Sequence, residues 1–172
     1  LYINEVSDVD AQVYAAWFPS LEVVFVPDQT KNGGLTGTWN QGIDWCKSQG
    51  CTHVLLSNDD TMATPSIRHL ITAARTYTST RDALCYFGPV TNNPGPIELN
   101  RWQYATSPQT ADPVASQSRV LNGFCMLFPL YVLEHNRFDN AHYFDPRKPF
   151  GGNEVEWGRR LFSKFPNAFS VV

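Results

Sequence analysis

Residues 21–60, LEVVFVPDQTKNGGLTGTWNQGIDWCKSQGCTHVLLSNDD, decide the fold. Leu21 to Val26 is a β-branched apolar run stopped by Pro27-Asp28, which reads as a strand buried on both faces. The turn Lys31-Asn32-Gly33-Gly34 follows. Leu35, Trp39, Ile43 and Cys46 then fall on one helical face, with Asn40, Gln41, Asp44 and Lys47 opposite. That helix stops near Gly50. His53 to Ser57 is the next strand, and it runs directly into Asn58-Asp59-Asp60.

The same alternation extends on both sides. Leu1 to Ile3 reads as a strand ending at Asn4-Glu5. It looks like a strand already under way, so residues upstream of Leu1 are expected. Ala11 to Phe18 reads as a helix with Val13, Ala16 and Trp17 on one face. Downstream, Thr64 and Pro65 open a helix whose apolar face is Ile67, Leu70, Ile71 and Ala74. Ala83 to Val90 reads as another strand. The β-α-β-α-β order predicts an α/β fold with a mostly parallel central sheet flanked by helices.

Beyond that the pattern changes. Thr91 to Ser118 is rich in Asn, Pro, Ser, Thr and Gln, and a loop of that length is usually functional. Val120 to Leu130 reads as a strand, 138–152 as an aromatic Gly- and Pro-bearing loop, and Glu154 to Phe165 as a final amphipathic helix. No repeat or composition break divides the chain, which predicts one domain.

Composition narrows the function. The chain has 172 residues, of which 42% are hydrophobic and 17% charged, so a packed core is available. Thirteen basic against 16 acidic residues give a net charge of −3, which argues against a dedicated nucleic-acid binder or a polybasic membrane-surface protein. No apolar run reaches the ~18 residues of a membrane span. Cys46, Cys51, Cys85 and Cys125 form no CxxC pair and are too sparse for a disulfide scaffold, which predicts reduced thiols in a cytoplasmic protein.

In an open parallel sheet, ligands bind outside the carboxyl ends of the strands. Three strand ends here carry polar groups: Asn4-Glu5, Asp28 with Asn32, and Asn58-Asp59-Asp60. Adjacent carboxylates repel unless a cation compensates them, and a divalent ion with oxygen ligands does so. The alternative is a plain turn before a helix, where Asn and Asp are common. The glycines of Asn32-Gly33-Gly34 let a ligand approach the backbone, or merely make a βα turn. They form neither GxGxxG nor a P-loop.

A third signal is Gly151-Gly152-Asn153-Glu154-Val155-Glu156-Trp157. Two acids open a helix, where the dipole favours them, and either can act as a base at a cleft mouth. Trp102, Phe150 and Trp157 can stack on sugar faces or fill core. His142 is a candidate ligand beside them, whereas His53 reads as structural. No nucleophile motif such as GxSxG is present.

In their order and spacing, these segments resemble a nucleotide-sugar glycosyltransferase of the GT-A fold, similar to the family containing bacterial rhamnosyltransferases. The matching stretches are residues 21–60 and RFDNAHYFDPRKPFGGNEVEWGRRL, so the resemblance covers nearly all the chain except 91–118. The family has a nucleotide-binding strand end, an Asn-x-Gly…Asn-x-Gly helix, and a strand ending in an Asp-x-Asp-type motif. Asp28, Asn32 to Gly34, Asn40 to Gly42 and Asn58 to Asp60 look like these. Phe138-Asp139, Tyr143-Phe144 and Asn153 to Glu156 resemble its later Phe-Asp…Phe loop and Glu-Asp-x-Asp helix start. The chain also resembles chlorella-virus glycosyltransferases that build capsid glycans, which implies a soluble enzyme of the host cytoplasm.

The resemblance implies transfer of a sugar from a UDP-sugar or other nucleotide-sugar donor to a glycan or glycoprotein acceptor, with Mn²⁺ or Mg²⁺. It implies donor contacts from Asn4, Asp28, Asn32, Thr36, Asn40, Asn58 and Asp59. Asp60 would ligate the metal, with Asp59 and His142 as further candidates. Glu154, or second Glu156, would be the base. Trp102, Phe150 and Trp157 would shape the acceptor side. Two departures stand out: Asn58 replaces an expected Asp, and Asn-Glu-x-Glu replaces Glu-Asp-x-Asp. They leave open an inactive nucleotide- or glycan-binding module, and a nucleotidyltransferase of similar fold is a third reading.

Overall fold

The computed structural model describes residues 2–4, 16, 24–26, 33–58, 61, 67–80, 84–91, 102–104 and 114–172. The expected sites at Asp28, Asn32, Asp59 and Asp60 lie outside the described residues, as do the Thr64-Pro65 helix start and most of 91–118. Of the helix expected over 11–18, only Ala16 is described; it is helical but exposed.

Two parallel strands, β1 (Tyr2–Asn4) and β2 (Val24–Val26), open the chain. Their register pairs Asn4 with Val26, so both strands end at one edge. Helix α1 (Gly34–Ser48) follows and buries Trp39 and Ile43, as its periodicity requires. Gly34 begins it at φ 70°, and a Cβ there would lie 2.8 Å from both the Phe150 ring and the Pro149 carbonyl. Only glycine meets both demands.

Next come β3 (His53–Ser57), α2 (Ile67–Thr80) and β4 (Cys85–Phe87), in the expected order. Ala74 is buried in α2, but Ile71 is exposed. β5 (Ala115–Ser116) lies inside the segment read as loop. β6 spans Cys125–Pro129 only, because the chain turns to form helix α3 (Leu130–His135), which the apolar run had concealed. Helix α4 (Asn153–Lys164) and a short β7 (Phe169–Val171) complete the chain.

The fold is α/β, but its five-stranded sheet is mixed rather than mostly parallel. The order is β3-β6-β4-β7-β5. β6 pairs antiparallel with both β3 and β4, β4 pairs parallel with β7, and β5 runs antiparallel to β7. β3 and β4 therefore point the same way, as the βαβ reading requires, but they are not neighbours. The physical reason is the run Cys125–Pro129, which is buried throughout. A strand apolar on both faces is satisfied only inside a sheet covered on both sides.

Aromatic rings fill the layer between this sheet and the helices. Tyr86 and Phe128 stack with centroids 5.5 Å apart, and the Trp157 ring meets Phe128 edge-on at 4.9 Å. Phe144 bridges Trp157 and Trp39. Such pairs contribute about 0.5–1.5 kcal/mol each beyond burial. Gly158 lets α4 approach closely: a Cβ there would be 2.6 Å from Val120 Cγ1 and 2.9 Å from the Tyr86 hydroxyl. That contact sets where the first turn of α4 emerges.

Candidate active site

β3 and β4 are codirectional, and β6 runs opposite. The carboxyl ends of β3 and β4 therefore share an edge with the start of β6. Ser57 pairs with Cys125, and the Asn58 N–H donates to the Phe124 carbonyl at 2.8 Å. The Thr61 hydroxyl donates to the same carbonyl at 3.3 Å. The backbone of 123–124 thus lies beside the exit of β3, where Asn58 leads into the acidic pair.

Glu154 comes to this edge from α4. A Cβ on Gly123 would sit 3.4 Å from both Glu154 Cγ and Cδ, and 3.3 Å from the Trp39 ring. The carboxylate therefore lies over bare glycine backbone beside an indole. Burial pushes its pKa above the ordinary carboxylate range. It has no ion-pair partner among the described residues. A carboxylate held that way binds a proton more readily than a solvated one, which suits a general base.

Glu156 is different. Both its oxygens accept from Arg160 Nη1, one turn on, and Arg160 also donates to the Asn136 and Tyr143 carbonyls. The arginine thus ties the Glu156 side chain to the protein frame. The two acids alternative in the sequence are thus separated by their partners.

Asn153 and Thr36 join the starts of α4 and α1. Asn153 is buried; its Nδ2 donates to Thr36 Oγ1 at 2.9 Å and its Oδ1 accepts from the Glu154 N–H at 3.1 Å. The Thr36 hydroxyl donates to the Lys148 carbonyl, and its N–H donates to Pro149 O at 3.2 Å. Asn40 is engaged likewise. Its Oδ1 accepts from the N–H groups of Tyr143 and Phe144, both at 2.9 Å, and its Nδ2 donates to Phe144 O at 3.1 Å. Thr36 and Asn40, expected on the donor side, hold the 143–149 segment against α1.

The remaining candidates divide. Asn4 ends β1 at the edge it shares with β2. His142 Nδ1 bonds to the Asp139 carboxylate at 2.9 and 3.0 Å, while Asp139 also accepts the Ala141 and His142 N–H groups. His142 therefore belongs to a local turn. Among the described residues no group of three or more His, Cys, Asp or Glu is placed to hold a metal. Phe150 is 64% exposed and its ring covers Gly34. Trp102 is half-buried, donates Nε1–H to Val120 O at 3.0 Å, and faces the Arg119 guanidinium.

Trp157 corrects the sequence reading. It is 0% exposed and surrounded by Tyr86, Phe128 and Phe144, so it cannot stack on a sugar. It lies three residues after Glu154, on the inward face of α4, and apolar burial takes that face.

One residue escaped sequence reasoning altogether. Gln103 is fully buried; its Oε1 accepts from the Asn122 N–H at 2.6 Å and its Nε2 donates to Pro89 O at 3.0 Å. The Thr91 N–H donates to its carbonyl at 2.7 Å. Gln103 thus ties the exits of β4 and the approach to β6 together at the site edge. Nothing in its polar surroundings marked it.

No helix among the described residues is long and apolar enough to cross a membrane. No known protein family, curated protein or solved structure matches the chain.

Proposed function

We propose that this chain is a metal-dependent glycosyltransferase of the GT-A class, moving a sugar from a nucleotide-sugar donor, UDP-linked by preference, to a hydroxyl of a glycan or glycoprotein. The observation that carries the reading is the placement of Glu154. A half-buried carboxylate with no cationic partner among the described residues packs on Gly123, and the adjoining Phe124 carbonyl is bonded to Asn58 at the exit of β3. The acid that the resemblance marks as base and the strand end that it marks as the diphosphate site thus border the same stretch of backbone, Gly123-Phe124, which supports the reading.

In this reading Asp59 and Asp60, next to Asn58 in the sequence, would hold Mn²⁺ or Mg²⁺, and the ion would supply Lewis-acid neutralisation of the departing diphosphate. Asn58 adds a hydrogen-bonding amide without charge. Asp28 and Asn4 would hold the base of the nucleotide. Glu154 takes the proton of the acceptor hydroxyl, helped by its desolvated setting. Glu156, held by Arg160, serves the frame. Exposed Phe150 and the half-buried Trp102 offer aromatic surface to the acceptor.

Calorimetry of UDP binding with and without Mn²⁺ tests the proposal. Binding that strengthens with Mn²⁺ in the native protein and loses that dependence in Asp60→Ala is the expected result. Equal UDP affinity with and without the ion overturns the metal scheme. Tight binding with no turnover of any nucleotide sugar favours the inactive module instead.

A further inference from the structure

At the far end of α1, the chain leaves the helix through a Schellman turn. The Cys51 N–H donates to the Cys46 carbonyl at 3.0 Å, and the Gly50 N–H donates to the Lys47 carbonyl at 3.0 Å. Gly50 takes the left-handed conformation this requires, with φ 71°. In such a turn the first and last of its six residues are brought into side-chain contact; elsewhere an apolar pair occupies them. Here both are cysteines. Both are half-buried, and neither is bonded to another sulfur.

We propose that Cys46 and Cys51 form a reversible intramolecular disulfide, a thiol-modification site separate from the sugar-transfer site. A disulfide needs two Cα atoms about 4.4–6.8 Å apart with converging Cβ vectors. The Schellman turn already brings its first and last residues together in the reduced protein.

Cys51 is the entry point. It lines an open depression at the amino end of β3 with Thr52, His53, Ile71 and Arg75. A disulfide oxidant of the oxidised-glutathione class can approach from there, and the Arg75 cation sits at the same mouth. The Cys51 thiolate attacks one sulfur of the oxidant, forming a mixed disulfide and releasing one thiol. The Cys46 thiolate then attacks Cys51 Sγ, forms the Cys46–Cys51 bond and releases the second thiol. Two electrons pass to the oxidant, and the two protons leave with its reduced halves. Burial and the neighbouring thiol raise the Cys46 pKa, which fits Cys46 as the slower, resolving partner.

The bond would staple the end of α1 to the entry of β3. Those two elements carry Thr36 and Asn58 at their opposite ends, so oxidation would stiffen the unit that bears both.

Thiol counting and peptide mapping of the folded protein in oxidised/reduced glutathione mixtures provide the test. The expected result is loss of two of the four thiols, a 46–51 cross-linked peptide, and full reversal by dithiothreitol. Cys46→Ser should instead accumulate a stable glutathione adduct on Cys51. Independent adducts on both cysteines in the native protein, without a cross-linked peptide, overturn the proposal. Cys51→Ala, which keeps a small apolar side chain in the turn, controls for folding by circular dichroism and should show neither product. The readout requires no sugar transfer, so it stands whatever the outcome for the glycosyltransferase reading.

Discussion

Asn153 Nδ2 donates to Thr36 Oγ1 at 2.9 Å, joining the first turns of two helices 117 residues apart in sequence. The threonine passes the link on to the Lys148 carbonyl. Thr36→Val keeps the shape but strands the Asn153 amide and the Lys148 carbonyl. The orphaned buried Asn153 amide costs about 1–3 kcal/mol, while the carbonyl of exposed Lys148 is left to solvent. Denaturant unfolding should therefore report a loss in that range for Thr36→Val, with Thr36→Ser close to the native value. Equal stability of the valine variant would remove this bond from the account.

Asn40 makes three buried hydrogen bonds to the backbone of Tyr143 and Phe144. Asn40→Ala should lower stability by about 2–5 kcal/mol, since large losses follow from breaking a buried network. Nucleotide affinity in the fraction that remains folded should be unchanged. An affinity loss without a stability loss would return Asn40 to the donor-binding set.

Glu154→Gln separates base from scaffold. The folded state raises the pKa of this carboxyl by burial, so it binds protons more readily folded than unfolded. Ionised Glu154 therefore works against folding, and its penalty vanishes as pH falls below the unfolded value of about 4.3. Glutamine removes that penalty. Glu154→Gln should be at least as stable as the native protein at pH 7, with the two converging in acid. The same variant should bind UDP normally and lose sugar transfer. Full transfer activity would exclude Glu154 as base.

Glu134 has the opposite sign. Arg137 first, then Lys47 and the Tyr143 hydroxyl, hold its pKa down to about 2. A depressed carboxylate contributes stability that is present above its unfolded pKa, about 4.3, and is lost as pH falls towards 2. Glu134→Gln should be less stable at neutral pH and should show a flatter acid limb. Identical acid limbs in thermal unfolding would show that the cluster contributes nothing.

Gly158→Ala tests the packing that positions α4. Its Cβ would meet Val120 Cγ1 at 2.6 Å and the Tyr86 hydroxyl at 2.9 Å. Overpacking of this kind costs about 1–3 kcal/mol, more than alanine's helix propensity returns. Melting should reveal the loss, and Val120→Ala in the same chain should recover part of it.

Local signals announced α1, β3 and α4 almost to the residue. Trp39 and Ile43 lie at helical spacing, HVLLS stops at polar residues, and Gly151-Gly152 precedes the acids of α4. These are properties of a few neighbouring residues, and period and turn chemistry encode them directly. The α/β class followed from the same source, as did the choice of Glu154 and Glu156 as candidate bases.

Tertiary contacts decided the rest. The position of β6 between β3 and β4 made the sheet mixed, because a strand buried on both faces needs neighbours on both sides, wherever in the chain they come from. Contacts a hundred residues away engaged Asn40 and Thr36 with backbone groups, and packing between distant elements sealed Trp157 in the core and left Glu154 over Gly123. Sequence names the chemical groups. Their protonation, exposure and free hydrogen-bonding capacity depend on what surrounds them, and only the folded chain supplies that.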